Sequence, residues 1–199
     1  MLLFLKAKNF RSFKDGFELS LIASSDKTYS DTHTRAIPNL KHHAYLVSTG
    51  IYGANGSGKT GVLQALMIMR RLVLESARES MAGDPLPIDP FRFTAASRTA
   101  PTRIEVVFVQ QGIRYQFGFI ATKTRIIEEW LYATPNEGRL QKWYQRVWNE
   151  ETASYEWMFG SRFQGLKKLW QEATAPNACG FFLNALRLHQ ARQRFGNAF

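Results

Sequence analysis

Apolar and polar residues alternate from the first residues of the chain. Leu3, Leu5 and Ala7 alternate with Lys6 and Lys8, which predicts a half-exposed strand. Farther on, Tyr45 to Tyr52 is a short β-rich run, and Val62 to Leu74 is apolar nearly all round, the pattern of a helix buried against a sheet. Asp84 to Phe93 reads as a proline-broken loop leading into a strand. From there to about residue 159 the pattern changes to short β-branched and aromatic runs at Ile104–Val109, Arg114–Ile120, Ile126–Tyr132, Trp143–Trp148 and Tyr155–Phe159. Gln111-Gly112, Thr122-Lys123, Asn136-Glu137-Gly138 and Asn149-Glu150-Glu151 separate them as hairpin turns, so an antiparallel meander is expected. Phe163, Leu166, Leu169 and Trp170 then share one face of a short amphipathic helix. Pro176-Asn177 breaks that helix before a helical pattern resumes from Phe181 to Phe195.

Between the β-rich run and the apolar helix lies the most specific motif of the chain. Gly53-Ala54-Asn55-Gly56-Ser57-Gly58-Lys59-Thr60 is a complete G-x-x-x-x-G-K-[ST] phosphate-binding loop, in the strand-loop-helix order that such a loop requires. At average composition the expression arises by accident in about 1 in 100 chains of this length. Glycines at 53, 56 and 58 let the backbone approach a ligand and turn successive N–H groups inward as an anion nest. Lys59 places a compact cation where β- and γ-phosphate oxygens would lie. The Thr60 hydroxyl is the expected ligand of a Mg²⁺ ion. ATP with Mg²⁺ is therefore the expected ligand, at a helix start whose dipole also favours an anion.

The opening segment Asn9-Phe10-Arg11-Ser12-Phe13, taken with Gly-Ala-Asn-Gly-Ser-Gly-Lys, resembles the N-terminus of ABC-type AAA-family ATPases of the SMC, RecF and OLD-like group. The strands Ile113–Phe119 and Ile126–Tyr132 are similar to hairpin strands of OLD-like members. The resemblance covers most of residues 1–159. It implies that Asn9, Arg11 and Ser12 lie beside the nucleotide, and that the protein belongs to a bacterial or phage-type system acting on DNA or in defence. From residue pattern alone, Arg11 reads equally well as a solvated arginine at a strand end, and the meander as a solvent-faced structural sheet.

Hydrolysis in this class needs a Walker B strand, an apolar run ending in acids. None of the five aspartates, Asp15, Asp26, Asp31, Asp84 and Asp89, follows such a run. Ile126-Ile127-Glu128-Glu129 is the nearest imitation and reads as a solvated strand edge. A Leu-Ser-Gly-Gly-like signature loop is absent, and Gln110 and Gln111 sit at a hairpin where exposure is the default. No catalytic residue is assigned. The chain looks like the N-terminal lobe of a longer ATPase, cut short or completed by a second subunit.

Composition changes the picture in a few places. Lys and Arg number 26 against 16 Asp and Glu, a net charge of +10 that suits a polyanion such as nucleotide or DNA. Beyond residue 160, Arg162, Lys167, Lys168, Arg187, Arg192 and Arg194 face Glu172 alone. This is a DNA-binding face, a surface that pairs with an acidic half, or a solvated basic face. Cys179 stands alone, which excludes an internal disulfide, fits a cytoplasmic location and reads as a buried structural thiol. His33, His42, His43 and His189 show no metal-ligand spacing. Lys6, Lys8 and Arg11 interrupt the opening apolar run, so no signal peptide is read, and no stretch reaches the roughly 20 apolar residues of a membrane span.

The architecture expected is α/β, a P-loop NTPase lobe of ABC-ATPase type with an antiparallel β subdomain and C-terminal helices. The lobe is placed at 1–80, the β subdomain at 81–160 and a truncated helical segment at 161–199. The function expected is ATP binding, with hydrolysis only when the missing elements are supplied. The alternatives are a basic nucleic-acid-binding module with a non-hydrolysing nucleotide site, and a fragment without function of its own.

Overall fold

In the computed structural model, which describes residues 1–37, 40, 43–79, 85–135, 138–161, 163, 167–168 and 171, the opening alternation becomes strand β1 (Leu2–Lys8). Leu3, Leu5 and Ala7 are buried while Lys6 and Lys8 face solvent. The chain continues through β2 (Phe17–Ser20), a short helix α1 (Ser30–His33), β3 (Thr34–Ala36), β4 (Ala44–Leu46), the long helix α2 (Lys59–Glu79) and α3 (Ala95–Thr99). Five further strands follow, β5 (Thr102–Gln110), β6 (Ile113–Ala121), β7 (Ile126–Thr134), β8 (Gln141–Asn149) and β9 (Ser154–Phe159).

Among the described residues β1, β2 and β5–β9 form one seven-stranded sheet, antiparallel throughout, in the order β2-β1-β5-β6-β7-β8-β9. The meander expected from the sequence is therefore present. Gln111 and Gly112, both left-handed with φ of 51° and 76°, make the two-residue turn from β5 to β6 that suits the right-handed twist of the strands. The Asn149 carboxamide accepts from the N–H groups of Glu151 and Thr152 to close the turn into β9. One sheet thus draws its strands from both sides of residue 80, because β1 pairs with β5 through Leu5↔Val106 and Ala7↔Ile104.

Helix α2 covers one face of that sheet. Val62, Ala65, Met69 and Leu72, spaced by three or four residues, share a core with Leu5, Ile104, Val106, Phe117, Phe119 and Leu131. Each large apolar side chain buried there contributes about 1.5–3 kcal/mol. Val107 and Val109 alternate with Val106 and so point to the other face, where they cluster with Leu3, Ile37 and Tyr45. Tyr45 belongs to the β3–β4 ribbon, which residues 21–23 flank through Ala23 N–H to Ala44 O (2.9 Å) and Leu46 N–H to Leu21 O (2.8 Å).

Four sequence expectations change here. The β-rich run Tyr45–Tyr52 is strand only over Ala44–Leu46, because a ladder needs neighbours and the described residues supply them no farther. Helix α2 is not buried all round, since Leu63 is 57 % and Met67 66 % exposed. The proline-broken loop leads into α3, capped by Thr94, before β5 begins. The fourth change concerns Glu129, read as part of a solvated edge and here fully buried. It lies directly opposite Arg146, whose Nε and Nη2 donate to its Oε2 at 2.8 and 2.7 Å, while the Tyr144 hydroxyl donates to Oε1 at 2.6 Å. Arg146 also lies over the Tyr155 ring, 4.8 Å from its centroid. A charge can lie in the core only with such partners.

The helix from Phe181 to Phe195, Cys179, His42, His189, Asp84, the turn residues Asn136 and Glu137, and Leu166, Leu169, Trp170, Arg162, Glu172, Arg187, Arg192 and Arg194 lie outside the described residues. Phe163 is buried in the main core. No described helix is long and apolar enough to cross a membrane.

Candidate functional site

The loop from Val47 to Gly58 links the β4 ribbon to the first turn of α2. Its shape follows from two left-handed glycines, Gly56 at φ 78° and Gly58 at φ 95°, values that cost a residue with a Cβ about 1–2 kcal/mol. At Gly56 the space is open, so the dihedral alone requires glycine. Gly58 has a second reason, because a Cβ there would lie 2.7 Å from Cζ of Phe13. Ser57 N–H bonds back to Ala54 O at 3.2 Å, and Lys59 donates across the loop to Gly53 O and Ala54 O at 2.7 and 2.8 Å. Two of the three ammonium donors thus tie the loop's ends together.

Helix α2 opens with Lys59 and Thr60 and carries no acid in its first turn. Among the described residues, the backbone N–H groups of Gly56, Gly58, Lys59, Thr60 and Gly61 donate to no protein acceptor. Unspent donors at the start of a 21-residue helix, with a lysine beside them and no carboxylate, fit a phosphate group in charge and in hydrogen-bond sense. The exposed Thr60 hydroxyl is an oxygen of the kind a hard cation takes. Among the described residues no group of three His, Cys, Asp or Glu side chains could hold a metal, so Mg²⁺ here would rely on Thr60, water and the phosphates it accompanies.

Residues 9–14 are docked onto this loop by Phe13. Its ring meets Gly58 and Gly61, where an added Cβ at 61 would lie 3.1 Å from Cε2, and it leans on Phe17 at 4.5 Å between centroids. The turn is closed by reciprocal bonds between Phe10 and Phe13, at 2.9 and 2.8 Å. Arg11, at φ 48°, and Ser12 sit exposed on it. The Arg11 N–H donates to Asp89 O at 2.8 Å, and its Nε lies 3.8 Å from the Asp89 carboxylate, which Arg92 holds at 2.6 Å.

Asn9 faces the opposite way. Buried and left-handed at φ 50°, it donates from Nδ2 to the carbonyls of Ser97, Ala100 and Pro101 and accepts from Phe91 N–H, while its own carbonyl receives the Thr102 hydroxyl at 2.6 Å. Its amide is spent on the 91–102 segment, so its work is to hold the turn that carries Arg11 and Ser12. Sequence reasoning missed Phe13 and Asp89 as members of the site. Only the Asp89–Arg92 spacing of three residues hinted at the second. Gln110 and Gln111 are exposed in their hairpin, and Glu129 belongs to the sheet core.

The family model described as "AAA domain, putative AbiEii toxin, Type IV TA system" matches residues 48–178, from the segment before the glycine loop through the meander. No curated protein matches the chain.

Proposed function

The chain belongs to that AAA-domain family, and on this premise we propose that it is the ATP-binding lobe of an ABC-type ATPase of the SMC, RecF and OLD-like group. The observation that carries the proposal is the set of unspent N–H groups at Gly56, Gly58, Lys59, Thr60 and Gly61 beside the Lys59 side chain, shaped by left-handed glycines and backed by Phe13. In this reading the loop N–H groups and Lys59 hold the β- and γ-phosphates, and Thr60 holds Mg²⁺. When bound, Mg²⁺ supplies charge neutralisation across the phosphate oxygens. Arg11 and Ser12 flank the nucleotide from the turn that Asn9 anchors. Hydrolysis waits for a Walker B carboxylate and a signature loop from a second subunit or a C-terminal lobe. DNA is the proposed polyanion acted on, and the cytoplasm the proposed compartment. The finer architecture proposed assigns the nucleotide loop to a P-loop part over 1–80 and the antiparallel meander to a part over 81–160, the two sharing one sheet through the pairing of β1 with β5.

The rival, a basic module whose nucleotide never turns over, rests on the net charge of +10. Titration calorimetry with ATP and Mg²⁺ tests the first reading. Wild type is expected to bind and Lys59→Ala to lose at least about tenfold in affinity, or about 1.4 kcal/mol. Equal binding by both would remove the loop from the function. Salt-sensitive DNA binding indifferent to Lys59→Ala, without nucleotide turnover in any partnered form, would favour the rival.

A further inference from the structure

The face of the sheet away from α2 carries a charge arrangement that the nucleotide site does not use. Leu5 and Ala7 point into the core that α2 shares, so the exposed Lys6 and Lys8 of the same strand point the other way. Lys6 stands between Glu18 on β2 and Glu105 on β5, and its Nζ lies 2.9 Å from the Glu18 carboxylate. Two residues on, the alternation of charge fails, because Lys8 is paired with Arg103 and two cations stand directly opposite on neighbouring strands. Like charges so placed destabilise the pairing. Arg103 is held where it is. Its Nη2 donates to the buried Glu105 carboxylate at 2.9 Å, and its guanidinium lies over the Trp130 ring, 4.6 Å from the centroid. Among the described residues the Lys8 side chain has no hydrogen-bond or ion-pair partner.

Beside this pair the surface is hollow. Lys6, Lys8 and Arg103 line an open cleft of about 350 Å³ together with Asp15, Gly16 and Glu18 from the chain that enters β2. Gly16, at φ 110°, brings that chain against β1, where a Cβ would lie 2.7 Å from Ala7 O. The Asp15 carboxylate, like Lys8, has no side-chain partner among the described residues. A phosphate presents several acceptor oxygens, so one dianion can accept from Lys8 and Arg103 together and cancel their repulsion. Asp15 and Glu18 can only accept, which suits hydroxyl groups on the same ligand. A nucleic-acid backbone would press further phosphates against those two carboxylates. We propose that the cleft is a second anion site, for a small phosphate monoester of a hydroxylated sugar, with the phosphate between Lys8 and Arg103 and the hydroxyls toward Asp15 and Glu18. Its volume falls in the lower part of the roughly 300–1,000 Å³ range of small-molecule sites. It opens on the opposite face of the sheet from α2, and it stands whatever the glycine loop holds.

Titration calorimetry with ribose 5-phosphate and with cytidine monophosphate tests this on wild type, Lys8→Glu, Arg103→Lys and Lys59→Ala. Without ligand, Lys8→Glu is expected to melt no lower than wild type, because it replaces a like-charge pair with an opposite one. At least one ester is expected to bind wild type and Lys59→Ala alike, and to lose about tenfold or more in Lys8→Glu and in Arg103→Lys, which keeps the charge but not the fork. It is also expected to raise the melting midpoint of wild type and not that of Lys8→Glu. Similar affinities for the two esters assign the ligand to sugar phosphates, and tighter binding of cytidine monophosphate assigns it to nucleotides; both carry the proposed chemistry. Absence of binding by both esters, or indifference to Lys8→Glu, would overturn the proposal. So would binding lost in Lys59→Ala, which would put the ester in the glycine loop, or inorganic phosphate binding as tightly as either ester, which would leave the carboxylates no part. A single-stranded oligonucleotide that binds in preference to the esters and is lost with Lys8→Glu would overturn it too, because the face would then be a track for a polyanion.

Discussion

Arg146→Met removes the guanidinium that bonds the Glu129 carboxylate at 2.8 and 2.7 Å inside a fully buried pair. Methionine nearly fills the volume, so the change is chiefly one of charge. Breaking a buried pair from one side costs about 3–5 kcal/mol, because the remaining carboxylate stays desolvated. Set against a total stability of about 5–15 kcal/mol, that is a large fraction. At about 2–4 °C per kcal/mol for a chain of this size, the melting midpoint falls by about 6–20 °C. The double variant Glu129→Leu with Arg146→Met removes both charges and should recover much of the loss, remaining below wild type by the about 1–3 kcal/mol of the buried Tyr144 hydroxyl that no longer donates to Glu129. Urea unfolding read by tryptophan fluorescence, with the Trp157 ring 5.6 Å from the Arg146 guanidinium, measures both variants together with thermal melts by circular dichroism. The reasoning is refuted if the single variant loses less than about 1 kcal/mol, or if the double variant is no more stable than the single.

Further outcomes follow from other contacts. Tyr144 is held protonated by burial first and by the Glu129 charge second, so its hydroxyl ionises well above the ordinary value of 10. A raised folded value adds stability that is complete below about pH 10 and lost as pH rises beyond it, so alkaline unfolding should weaken in Tyr144→Phe when both are melted across that range. Gly58→Ala forces a Cβ to within 2.7 Å of the Phe13 ring at φ 95° and should weaken Mg²⁺-ATP binding about tenfold or more, with Gly58→Ala/Phe13→Ala recovering part of the loss in calorimetry. Asn9→Ala abandons three carbonyls and one N–H and should cost about 2–3 kcal/mol in a urea titration, whereas Ser12→Ala, on the exposed turn, should stay within about 0.5 kcal/mol. Gly118→Ala would drive a Cβ into the Trp130 ring, which Arg103 covers from 4.6 Å, and should cost about 1–3 kcal/mol by the same titration.

Local pattern announced whatever depended on near neighbours. The β1 alternation, the glycine loop, the helix after it and the hairpin at Gln111-Gly112 each carry their signal within a few residues. What stayed hidden depended on register and on distant partners. Glu129 shares its strand face with Leu131 and Ala133, yet only the pairing of β7 with β8 sets Arg146 opposite it. Asn9 finds its carbonyls about ninety residues away, with nothing local to mark them. Tyr45 to Tyr52 has the composition of a strand, but composition provides no neighbour to bond. The stripe Leu63-Leu66-Met67 was visible as apolar and misread as core, because a sequence shows which residues avoid water and not which surface covers them.

The pairing of β1 with β5 also sets a clock on the ribosome. Leu5 emerges first and waits for Val106. At a synthesis rate of about 5–20 residues per second, that interval lasts about 5–20 s. During it β1 has only the short β2 to pair with, Asn9 has no carbonyls to hold, and the turn that carries Phe13 against the glycine loop is not yet anchored. The glycine loop and the first turns of α2 leave the ribosome well before the strand that fixes their surroundings, so the loop gains its final setting only once β5, just past the middle of the chain, has emerged. Capture of nucleotide by a nascent chain would therefore report that β5 has already joined the sheet.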